Sequence, residues 1–121
     1  MVQFEKEEMD VMRKSGQVIG NVADDYISDL YQLDRTRSVE EFIKQLKNIG
    51  LRAISISKKE KEPVYAEPLA NLVDLINKFK DSYDEIKDIV LVYASVYLSI
   101  IKYKSYKGSQ KDSKSGGNGN E

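Results

Sequence analysis

Eight cations and two tyrosines carry the chemistry that this sequence offers. Arg35, Arg37, Lys44, Lys47, Arg52, Lys58, Lys59 and Lys61 fall between residues 35 and 61, where the only acids are Glu40, Glu41 and Glu60. Guanidinium and ammonium groups at that density suit a polyanion, because each phosphate they neutralise releases condensed counterions. Tyr31 and Tyr65 flank the stretch, where their rings could stack on unpaired bases. Arg35 and Arg37 also precede Ser38-Val39-Glu40-Glu41, a capping-box pattern in which Ser38 and Glu41 would each cap the other's amide. The outward amides and the dipole of a starting helix favour an anion. Two readings of this corner stand side by side: a bound phosphate, or internal pairing of the arginines with Glu40 and Glu41. For the whole strip the alternative is a solvated surface, where exposed ion pairs contribute about 0–1 kcal/mol each.

The motifs that would narrow this chemistry are missing. There is no GxxxxGK[ST] or GxGxxG phosphate cradle. No helix face crowds Asn, Gln and Arg for reading base edges. Contacts to a nucleic acid would therefore go to its backbone and ignore its sequence. The chain has no His and no Cys, which removes Ser-His, Cys-His, His-metal and zinc-thiolate chemistry, and any disulfide framework. No spacing singles out a carboxylate pair, a Lys or a Tyr. The expectation is a chain that is not an enzyme, with no catalytic residue, no metal site and no cofactor. A second basic-aromatic cluster, Tyr103 and Tyr106 among Lys102, Lys104 and Lys107, is read first as lysines placed at a helix C-terminus.

The charge around these residues is segmented. Residues 1–30 hold seven acids and three bases, 35–61 three acids and eight bases, and 62–101 seven acids and three bases. A net charge of −1 thus conceals a strongly basic middle. With 121 residues, 40% hydrophobic and 32% charged, the chain suits one compact domain. Its longest apolar run, 89–101, is shorter than the roughly 20 residues of a membrane span, and the acidic start lacks a secretory apolar region. The expectation is a cytoplasmic protein with no membrane contact.

Four helices would position the cations. Met9, Met12, Gly16, Ile19, Ala23, Tyr26 and Leu30 alternate steps of three and four over 5–30, the seam of a first helix, widened by Val18 and Val22. A second helix starts after Ser38 with Phe42, Ile43, Leu46 and Ile49 inward and Lys44 and Lys47 outward. Gly50 could end it, while Ala53 would extend its stripe, so 51–57 is read as helix or irregular chain. Residues 57–68 form a charged loop, and Pro68 fits the first turn of a third helix carrying Leu69, Leu72, Val73, Ile76 and Phe79. The last helix, 86–103, is apolar on nearly every side and should be the central, most buried element. From Gly108 the chain is Gly, Ser, Lys and Asn without an apolar residue and is expected to be disordered. The fold class is all-α: a single-domain bundle of about four helices over 1–107, with a tail at 108–121.

The run "SGQVIGNVADDYISDLYQLDRTRSVEEFIKQL", followed by "EIKDIVLVYASVYL", resembles the small subunit of type I CRISPR Cascade complexes. It also resembles the C-terminal helical region of their large subunits. The resemblance covers about residues 5–101 and implies a non-catalytic helical bundle, present in more than one copy, within a guide-RNA ribonucleoprotein. Its partners would be other subunits of the complex and single-stranded DNA or an RNA–DNA heteroduplex, held by backbone contacts. Arg35, Arg37, Lys44, Lys47 and Arg52 would be the holding residues, with the acidic face of 5–29 against protein. A second reading of the sequence is a protein-interaction or oligomerisation bundle, regulatory or viral, that self-associates and never meets nucleic acid.

Overall fold

A computed structural model describes residues 3–60 and 66–116. Among them are five α-helices and one 3-10 turn, and no strand: α1 Lys6–Asp25, α2 Ile27–Asp34, α3 Val39–Glu60, α4 Glu67–Lys78, the turn Lys80–Ser82 and α5 Tyr83–Gly116. The all-α class holds. The count of four helices is corrected to five, because the first predicted helix breaks at Tyr26.

Nothing at the break is Pro or Gly. Tyr26 leaves the helical region at φ −132°, ψ 68°, with its N–H still donating to the Val22 carbonyl at 2.8 Å. The run Asp24-Asp25-Tyr26-Ile27-Ser28-Asp29 is made of weak helix formers, so little intrinsic preference opposes the bend. What the bend gains is burial: Leu30 and Leu33 of α2 reach the core, while Tyr26 stays 39% exposed.

α1 and α5 make the most extensive contact in the molecule and run parallel. Gly16 lies under Tyr93 and Ala94, Gly20 under Ala94, Tyr97 and Leu98, and Asp24 beside Lys102. A Cβ at Gly16 would fall well inside contact distance of the Tyr93 Cβ, and one at Gly20 would sit 3.0 Å from the Ala94 carbonyl oxygen. The two glycines, unfavourable in a helix by about 1 kcal/mol each, are offset by this close approach. Met12, Ile19, Val22 and Ala23 then pack with Ile86, Val90 and Ala94 in one continuous core. α4 crosses α1 on another side, where the buried Ser15 hydroxyl donates to the Pro68 carbonyl at 3.0 Å.

α3 runs straight through Gly50. Phe42, Leu46, Ile49 and Ala53 are all fully buried, and their stripe carries the helix past a residue whose added Cβ would meet only ordinary contacts, 3.7 Å from Leu69. Of the two readings of Gly50 the structure takes the one that extends the stripe, so 51–57 is helical, and the loop expected over 57–68 is corrected at its start, because 57–60 belong to α3. α5 is corrected too. It is not buried all round: Val92, Val96, Ile100 and Tyr103 are 44–62% exposed. One side of a helix suffices to cover a bundle this small. The backbone of 108–116 continues as helix, since extending a formed helix needs no new nucleus. The rest of the expected tail lies outside the described residues.

α1 begins on a cap that its sequence hides. Glu5 serves as N-cap, and its N–H donates to Glu8 Oε1 at 2.8 Å, while Lys78 donates to Glu8 Oε2 at 3.3 Å. The Glu5 amide, and secondarily Lys78, hold the Glu8 carboxyl below the usual carboxylate range. A carboxylate depressed by folding stabilises above its unfolded pKa and loses that contribution as pH falls. Two outcomes are expected in chemical denaturation. Gly16→Ala lowers stability by about 1–3 kcal/mol through overpacking, whereas Gly50→Ala raises it by up to about 1 kcal/mol. On acidification through the carboxylate range, the wild type loses more stability than Glu8→Gln.

Candidate functional site

The corner at Arg35 and Arg37 joins α2 to α3. Thr36 closes it by donating its hydroxyl to the Leu33 carbonyl at 2.7 Å, and Lys87 of α5 donates to the Thr36 carbonyl at 2.7 Å. Ser38 caps α3 as its pattern predicts, accepting from the Glu41 N–H at 3.1 Å. The Glu41 carboxylate reaches one residue further back than the capping-box pattern, to the Arg37 N–H at 3.3 Å. The start of α3 therefore fills part of its own anion requirement. The guanidinium groups of Arg35 and Arg37 are exposed beside it and, among the described residues, enter no ion pair.

On α3 the cations separate into two groups. At 100° per residue, Lys44, Lys47 and Lys58 fall on one side, with Leu51 between them. All four are exposed, Leu51 at 68%. Lys44 to Lys58 spans about 20 Å of helix, and Arg37 extends the row past the N-terminus. Among the described residues none of these cations is in an ion pair. Their acidic neighbour on the row is Glu40 in the first turn.

Arg52 points elsewhere. Its Nε donates to Asp29 Oδ2 at 3.0 Å and its Nη2 to Asp29 Oδ1 at 3.3 Å, a two-pronged pair that planar guanidinium favours. Its Cζ lies 4.2 Å from the centre of the Tyr26 ring. Asp29 is 6% exposed, and Gln45 donates to the Asp29 carbonyl at 3.1 Å. Hydrogen bonds to Asp29, then its charge, raise the Arg52 pKa further above its ordinary value. Arg52 thus pins α2 to α3 and stands apart from the exposed row.

The remaining sequence candidates divide in the same way. Tyr31 is 54% exposed on α2, but it lines a shallow cavity of about 190 Å³ with Leu91 and Ser95 of α5. Lys59 continues the α3 backbone, with its side chain outside the described set. Lys61 and Tyr65 lie outside the described residues.

Beside the lysine row runs a feature that sequence reading missed. A groove of about 530 Å³ between α3 and α4 is lined by Leu46, Gly50, Leu51, Ile54, Leu69 and Val73, with Lys47 on one edge and Asp74 on another. Its signal was present in Leu51 and Ile54, which lie outside the buried stripe of α3. Among the described residues no three His, Cys, Asp or Glu side chains group to hold a metal ion. No helix there is long and apolar enough to cross a membrane. Comparisons with family models, curated proteins and solved structures return no match.

Removing Arg52 leaves the Asp29 carboxylate buried beside a vacated partner, and a group orphaned in this way is more destabilising than the loss of the bond itself. In thermal melts Arg52→Met is expected to fall well below wild type. Lys47→Met should stay within the roughly 0.5 kcal/mol of ordinary surface substitutions. The double variant Asp29→Met with Arg52→Met should recover much of the loss.

Proposed function

We propose that this chain is a non-catalytic subunit that holds a nucleic-acid strand along the exposed row of α3, within a ribonucleoprotein of the CRISPR effector kind that its sequence resembles. The observation that carries the reading is the alignment of Lys44, Lys47 and Lys58 on one side of α3, continued by Arg37, with no ion pair to any of them among the described residues. Cations in that arrangement are available to phosphates without breaking an internal bond. Arg35 adds a fifth at the same end. The apolar groove beside Lys47 suits the other half of a single strand, because unstacked bases gain by leaving water against Leu51 and Ile54. In this reading the backbone rides the lysines and the bases turn toward α4. The overall charge of −1 favours work inside an assembly over autonomous binding.

The second reading, an interaction bundle that never meets nucleic acid, is favoured by the exposed apolar residues of α5. The two separate in one titration of a labelled single-stranded oligonucleotide, followed by fluorescence anisotropy. Five phosphate contacts predict that affinity falls about a hundredfold between 50 and 200 mM salt, given a slope near −0.7 per contact. Lys44→Glu with Lys47→Glu should abolish binding, while Lys14→Glu, on α1, should leave it intact. Binding that ignores both salt and the α3 reversals would overturn the proposal.

A further inference from the structure

α5 turns Ile86, Val90, Ala94 and Leu98 into the core and leaves another side bare. On that side Val92 is 62% exposed, Val96 53% and Tyr103 60%. Positions 92, 96, 99 and 103 step by four and three, the spacing of a seam that receives another helix. The middle of the seam is small and quiet: Ser99 donates its hydroxyl to the Ser95 carbonyl of its own helix at 2.9 Å. Ser95 and Ser99 thus leave room for close approach.

The charges bordering this face are sorted by end. Asp84 and Asp88 are exposed in the first two turns, and Lys102 and Lys107 are exposed in the later ones. A helix acidic at one end and basic at the other complements itself when reversed. A surface that is its own complement is what a two-fold axis requires. We propose that the bare face of α5 pairs with α5 of a second copy of this chain, antiparallel, about an axis near Ser95. In that register Val92 packs against Val96 of the partner subunit, and Asp88 lies alongside Lys102 of the partner subunit. A parallel pair would bury the same apolar seam but would set aspartate against aspartate at one end and lysine against lysine at the other.

Two features of the monomer fit this arrangement. α5 outruns its companion: α1 ends at Asp25, beside Lys102, so Tyr103, Lys104 and Lys107 project past it with little of the same chain to contact. The ion pair that Lys102 makes with Asp24 is long, 3.7 Å, and both groups are well exposed. Such a pair contributes little, so Lys102 can exchange it for Asp88 of the partner subunit. The inference is independent of the polyanion reading, since no residue of the α3 row takes part.

The absence of cysteine makes the test clean. Asp88→Cys and Lys102→Cys are prepared separately in the full chain and treated with a short bis-maleimide, alone and mixed. Covalent dimer is expected in the mixture and not with either variant alone. Cross-linking of Asp88→Cys with itself would mean parallel pairing and overturn the proposal. Sedimentation equilibrium supplies a second arm. The wild type is expected to form dimers, and Val96→Lys to weaken them by roughly ten- to a hundredfold with helical circular dichroism unchanged. The reversed pair Asp88→Lys with Lys102→Asp should restore what each single reversal weakens. A wild-type chain that stays monomeric at every concentration would also overturn it.

Discussion

The close crossing of α1 over α5 is the constraint on which the other contacts depend. Gly16 and Gly20 let two parallel helices approach until side chain and backbone touch, and that approach sets the height of everything packed around them. Ser15, one residue from Gly16, then meets the Pro68 carbonyl and seats α4. Lys87, one turn into α5, meets the Thr36 carbonyl and fixes the corner between α2 and α3. A larger residue at either glycine would displace α5 and, with it, the Lys87 anchor at the α2–α3 corner.

Charge in this molecule is divided between holding the fold and facing outward. Arg52 and Asp29 show the first use. The acid is buried and cannot afford to lose its partner, so the arginine is fixed in place by two hydrogen bonds and the Tyr26 ring. Lys44, Lys47 and Lys58 show the second, standing exposed on one side of α3 and, among the described residues, in no ion pair. These side chains are distinguished by rotation about one helix axis. Arg52 lies about 100° round from Leu51, enough to reach Asp29 of α2 while its side chain stays 43% exposed.

Much of the architecture was legible because it rests on periodicity. The stripe of Phe42, Leu46, Ile49 and Ala53 already pointed past Gly50, and the structure follows the stripe rather than the glycine. Burial of four apolar residues outweighs a helix penalty of about 1 kcal/mol. The Ser38 cap and the place of Pro68 in the first turn of α4 are local patterns and were equally visible. What escaped was non-local. The bend at Tyr26 has no breaker residue, and its reason is the burial of Leu30 and Leu33. The role of Arg52 depends on an aspartate 23 positions earlier. Glu5 is not among the usual capping residues. The exposed side of α5 was hidden by composition, since an apolar helix reads the same whether covered on one side or all round.

The parallel pairing of α1 with α5 also bears on how the chain reaches its native state. Tyr93 meets Gly16 across about two thirds of the 121-residue chain, so the central contact closes a long loop. Loop closure over such a separation delays the contact relative to local helix formation. During synthesis α1 leaves the ribosome before α5, and the side of it that holds Gly16 and Gly20 waits, uncovered, until α5 arrives. The emerging polypeptide therefore passes through a stage in which α1 is helical while the side that receives α5 still faces water.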